Sequence, residues 1–358
     1  MNYKIEKVNQ MFLITVLVSL AASFLPISKL FPSTSARLVF SQVILAAPGA
    51  VYLIAGRQNY AKAVHLKKIR LSTFFWLILF TICVMPVMSF VNALSMLFVE
   101  NSTVVTMSGV TTQNSWLLSM LLVAVIPGIF EESVYRGLFY QEYRKAAPVK
   151  GMLLSAFLFG IMHGNLNQFS YAFFMGIIFA LVIEATDSIL ASMLMHFFIN
   201  GSSITLLWLY PKLLEYAQKL YVQAQQSGDT ATVNMLAGLV GEGGSGEDMM
   251  NQLLTETTTA ETLLEIIKAY LPTALIFGVF AVVVYMVMAA GEGRLSYVKS
   301  LFRRNAKENT VAVPESDVEE TLAEEKTVPS EVRLITKPLL AGILICVVLM
   351  FVYEFVPV

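Results

Sequence analysis

Apolar residues fill this chain in long blocks separated by short polar segments, and the blocks have the length of membrane spans. A spanning helix needs about 20 mostly apolar residues. By that measure the sequence predicts spans near 11–31, 38–55, 72–99, 115–140, 151–164, 168–185, 188–210, 267–290 and 337–356. The fifth block is short, and the fourth runs into a polar end. The pattern predicts an all-α fold, a polytopic transmembrane helical bundle of about 8–9 spans.

The basic residues give an independent check on that order. Arg57, Lys62, Lys67, Lys68 and Arg70 fall between spans two and three; Arg136, Arg144, Lys145 and Lys150 fall between four and five; Arg294, Lys299, Arg303 and Arg304 follow span eight. Segment 100–114 has neither Lys nor Arg, and 211–266 is acid-rich with only Lys212 and Lys219. With a cytoplasmic N-terminus, all three basic groups land on the cytoplasmic side. Two segments read as loosely ordered: 226–251, rich in Gly, Ser and acids, as an external loop, and 305–335, rich in Glu, as a solvated cytoplasmic linker.

Composition agrees with the spans. The 358 residues are 56% hydrophobic and 14% charged, against about 25% charged in soluble domains. A formal net charge of −1 with no basic stripe argues against nucleic acid as a partner. Cys83 and Cys346 both lie in apolar runs and read as buried thiols rather than a disulfide. The N-terminal block is long enough to span and shows no small-residue cleavage site. The chain has no internal repeat, CxxC, Gly-rich phosphate loop or GxSxG elbow.

The chemistry lies in the polar residues at membrane depth. The stretch Gly128 to Tyr143 puts Glu131, Glu132 and Arg136 there, where ionisable residues are costly and usually functional. Glu132 and Arg136 sit four apart on one helix face, in the favourable order for an ion pair. Glu131 points about 100° away around the helix, which leaves it free. His163 and His196 also lie in apolar runs, and Asn200 shares a helix face with His196. His65, beside Lys67 and Lys68, reads as solvated. Counting depth from Tyr140 and Ser188, Glu131 and His196 fall roughly 12–13 Å from the inner ends of their helices. That predicts a shared cavity facing the cytoplasm, with His163, roughly 20 Å deep, as its outlier.

A carboxylate kept from water can act as a general base toward a water molecule, and a histidine can relay the proton. A second histidine with an asparagine can stabilise the oxyanion of a tetrahedral intermediate. Alternatively, Glu131, His163 and His196 make a two-histidine, one-carboxylate zinc set. Both versions describe hydrolysis of an acyl or peptide bond. A lone membrane histidine more simply bonds a neighbouring helix, and the same residues could form a proton or ion relay in a transporter. A catalytically silent scaffold is the third reading.

In order along the chain, Glu131-Glu132-Ser133-Val134-Tyr135-Arg136, Phe159-Gly160-Ile161-Met162-His163 and His196-Phe197-Phe198-Ile199-Asn200 spell EExxxR, FxxxH and HxxxN. In these motifs the sequence resembles the CPBP intramembrane proteases (CAAX proteases and bacteriocin-processing enzymes, the Abi group), which include the type II CAAX prenyl endopeptidases. The resemblance covers roughly 115–210. It implies that Glu131 with His163 activates water, that His196 and Asn200 stabilise the oxyanion, and that Glu132 and Arg136 hold the site. It also implies a membrane-associated peptide or protein substrate, and either a zinc or a metal-independent glutamate mechanism. The regulatory partner is not legible. The basic-loop pattern and the motifs look bacterial, so the expected location is the bacterial cell membrane. The expected organisation is 1–114 N-terminal helices, 115–210 catalytic core, 211–266 extramembrane acidic and Gly-rich loop, 267–290 a span, 291–336 charged cytoplasmic linker and 337–358 a C-terminal span.

Overall fold

The computed structural model describes residues 2–99, 102–237, 240, 260–302 and 333–355. These form helices α1 (Asn2–Ser23), α2 (Thr34–Ala55), α3 (Leu71–Ser95), α4 (Ser102–Gln113), α5 (Trp116–Ala146), α6 (Pro148–Ile161), α7 (Leu166–Thr186), α8 (Ile189–Ser227), α9 (Thr230–Leu236), α10 (Ala260–Gly291), α11 (Leu295–Leu301) and α12 (Lys337–Phe355). Among the described residues there is no strand, and eight helices are long and apolar enough to cross a membrane. The block expected at 151–164 is the short helix α6. The chain is an integral membrane protein. Side chains such as Leu275, Val279 and Val283 on α10, and Leu340, Leu344 and Val348 on α12, face outward, as a lipid environment allows.

Three helix ends differ from the apolar blocks, and at two of them a polar residue has found a partner. Helix α1 starts at Asn2 and stops at Ser23 rather than spanning 11–31. Its polar Asn9 is fully buried, donating to the Leu334 carbonyl and the Thr336 hydroxyl at 2.8 and 3.0 Å, and accepting from the Tyr143 hydroxyl at 2.5 Å. Helix α5 runs on past Tyr140 to Ala146 because Tyr140 and Arg144 are bound to buried Glu184 on α7. Helix α8 continues through Pro211 to Ser227, so the segment expected to open an external loop begins as helix. Most of 226–251 and of 305–335 lies outside the described residues.

The basic end of the bundle is tied together by two carboxylates. Glu184 accepts from the Tyr140 hydroxyl at 2.6 Å and the Tyr297 hydroxyl at 2.7 Å, and pairs with Arg144 at 3.0 Å. Asp187, in a left-handed conformation (φ 54) at the end of α7, meets Lys67 at 2.7 Å and His65 at 3.1 Å. His65 is therefore not the solvated residue its basic neighbours suggested; it closes the loop before α3 onto the α7–α8 turn. Burial pushes the Asp187 carboxyl up, but the close contacts from His65 and Lys67 and the charge of Arg294 outweigh this and hold it well below the usual carboxylate range.

Helices α5 to α8 form the centre of the bundle. Close approach there depends on glycine. A Cβ on Gly176 of α7 would stand 2.7 Å from the Ala156 Cα on α6 and 3.1 Å from Arg136 Nη2. A Cβ on Gly128 would meet the Met193 carbonyl of α8 at 3.3 Å. Small residues at such crossings let membrane helices pack backbone to backbone.

Candidate active site

Helix α5 carries two widened π-helical stretches, Leu121–Val125 and Ser133–Tyr140, on either side of Glu131 and Glu132. The first has an identifiable cause. Pro127 has no N–H to give to the Val123 carbonyl four residues back, and its ring crowds that carbonyl. Asn200 of α8 supplies a donor instead, at 2.9 Å. In the second stretch, the Ser155 hydroxyl donates to the Tyr135 carbonyl at 2.8 Å.

The two adjacent glutamates then part company. Glu132 is fully buried; its Oε1 lies 3.2 Å from Arg136 Nη1 and 3.1 Å from His196 Nδ1. The Arg136 guanidinium sits 4.2 Å above the Phe159 ring and 5.1 Å from that of Phe179. His196 stacks on Phe179, with ring centres 5.1 Å apart. Arginine suits such a sandwich because its flat, weakly hydrated cation stacks on aromatic faces. Removing a charge pair from water is costly, and only mutual contact offsets that cost.

Glu131 faces the other way. It lines a cavity of about 420 Å³ together with Arg37, Gln42, Tyr135, Phe159 and His163. Its Oε1 accepts from Gln42 Nε2 at 2.7 Å, and its Oε2 lies 3.8 Å from His196 Nε2. His163 follows the end of α6, with Nδ1 2.8 Å from the Phe159 carbonyl and its ring edge-on to that of Phe159. A carbonyl only accepts, so in the neutral ring Nδ1 carries the proton and Nε2 keeps its lone pair.

Of the six residues expected from the sequence, Glu131 and His163 share the cavity. Glu132, Arg136 and His196 form the buried cluster behind it, and Asn200 is engaged with α5. The depth mismatch expected for His163 disappears, because α5 ends at Ala146 and Glu131 lies roughly 20 Å from that end. The cavity also draws on Ser19, Ala22 and Ser23 at the last turns of α1. It therefore sits at the end of the bundle opposite Asn2 and the basic loops.

Gln42 was missed by sequence reasoning. The only signal was one amide in the apolar block 38–55, without a motif to place it. Both histidines present Nδ1 to a fixed partner, His163 to the Phe159 carbonyl and His196 to Glu132, which leaves Nε2 as the nitrogen that each could offer to water, substrate or a metal ion. Among the described residues no three His, Cys, Asp or Glu side chains are arranged to hold a metal ion.

Residues 113–202 match the family described as Type II CAAX prenyl endopeptidase Rce1-like. The matched block contains all three motifs and both faces of the glutamate pair. No curated protein and no solved structure matches the chain. Over residues 113–202 the chain is thus similar to the CAAX prenyl endopeptidases, a family of membrane-embedded proteases.

Proposed function

We propose that this protein is an intramembrane endopeptidase in which Glu131 is the general base. The observation that carries the reading is the division of labour between two neighbouring carboxylates. Glu132 is consumed by Arg136 and His196, while Glu131 faces a cavity shared with a histidine whose Nε2 lone pair is available.

Water held between Glu131 and His163 loses a proton to the carboxylate as its oxygen bonds to the carbonyl carbon of a peptide bond. The resulting oxyanion lies near His196, whose Nδ1 donates to Glu132 and whose Nε2, directed toward Glu131, donates to the oxyanion when the ring carries both protons. The proton then passes, directly or through His163, to the leaving nitrogen as the C–N bond breaks. Glu132 and Arg136 keep His196 and Phe159 in place. Asn200 acts through the backbone of α5, which it pins. This route uses Glu131 and His163 without a metal ligand set.

The substrate is a membrane-associated peptide or protein, processed in CAAX-type or bacteriocin-type fashion, and the protein resides in a bacterial cell membrane with its N-terminus in the cytoplasm. The deciding experiment compares purified wild type and Glu131→Gln on a quenched membrane-peptide library, with and without a strong chelator. The base reading expects wild-type cleavage, a loss of about 10²–10⁴-fold in Glu131→Gln, unchanged melting and indifference to the chelator. Retained turnover in Glu131→Gln would overturn it. Cleavage that disappears with stoichiometric zinc removal would replace it with a metal mechanism. A folded wild type that cleaves nothing in the library would favour a transporter or scaffold.

A further inference from the structure

Gln42 stands outside the family-matched block, on the first half of α2, yet it makes the shortest polar contact to Glu131 among the described residues, 2.7 Å from Nε2 to Oε1. A carboxylate needs a donor there, which fixes the amide with its nitrogen toward Glu131 and its oxygen away. That oxygen is buried and, among the described residues, has no hydrogen-bond partner. An unpaired buried amide oxygen is destabilising, so a residue placed only to clamp α2 onto α5 is a poor fit. The side chain lines the cavity that holds Glu131 and His163, and a cavity of that size and polarity admits water.

We infer that Gln42 orients the attacking water, its amide nitrogen fixing Glu131 and its amide oxygen accepting from the hydrogen that the water keeps. This rests on Glu131 being the base. Water has two hydrogens to direct. Glu131 takes one as a proton, and the Gln42 oxygen holds the other. The lone pair that bonds to the carbonyl carbon is thereby turned toward the substrate. Neither hydrogen of the water is left to rotate freely, and the otherwise orphaned oxygen acquires its partner when water enters.

The test is Gln42→Met, which keeps length and flexibility and removes both polar atoms, measured beside Glu131→Gln and wild type in the membrane-peptide assay. The expected result is a fall in kcat of about 10²-fold, the size that misplacing a reacting group produces, with KM within about twofold and a melting temperature equal to or above wild type. A purely structural clamp would lower the melting temperature and leave kcat intact; that outcome, or a folded variant with wild-type kcat, overturns the inference. Gln42→Glu is the second variant. It keeps an acceptor but sets a carboxylate against Glu131, and it must also lose kcat without a rise in KM. If Glu131→Gln stays active, the base reading itself has failed. If Glu131→Gln is dead and both Gln42 variants are fully active, only the role of Gln42 has failed.

Discussion

The side-chain amide of Asn200 donates to the Val123 carbonyl at 2.9 Å, at the carbonyl whose regular helical donor Pro127 cannot supply. Proline creates the need and asparagine, on another helix, meets it. The third motif of the sequence is thus coupled to the geometry of the helix that carries the first.

Replacing Asn200 with Leu should lower stability by about 1 kcal/mol, the ordinary net worth of such a bond. In a Pro127→Ala background the helix regains its own donor, and the same replacement should cost markedly less. Thermal melting of the four proteins in detergent measures this directly. Equal losses in both backgrounds would break the link between Pro127 and Asn200.

Glu132→Gln should be far more damaging, by about 3–5 kcal/mol, because it leaves the Arg136 cation buried between two rings without its carboxylate. Removing both charges, as Glu132→Leu with Arg136→Met, should melt higher than Glu132→Gln alone, although neither protein should cleave. A double variant that melts lower would show that the pair is not coupled.

The third expectation concerns pH. The folded Asp187 carboxyl is held below its ordinary value, so its stabilisation is fully present above the unfolded value of about 3.9 and is lost as pH falls below that. Asp187→Asn should therefore melt lower than wild type at pH 6, by a margin that stays constant down to about pH 4 and shrinks beneath it. Melting curves across that range decide the matter. A margin that grows as the solution is acidified would contradict the assignment.

The helices were legible in the sequence because lipid demands long apolar runs, and the glutamate pair was legible because four-residue spacing fixes which carboxylate meets Arg136. What could not be read were the places where polar atoms cancel one another. Asn9 hides the start of α1, and Tyr140 with Arg144 hides the end of α5, since each looks like a boundary until Leu334 or Glu184 is beside it. Gln42 could not be placed because its partner lies 89 positions away, and no local periodicity reports a contact of that range.

The wall of the cavity and its chemistry come from different parts of the chain. Residues from Ser19 to Leu45 form one side, while Glu131 and His163 lie in the family-matched block. Exchange of the first two helices between relatives would therefore remodel most of that wall while leaving Glu131 and His163 in place, and of the wall only Gln42, which touches Glu131, would have to be carried over unchanged.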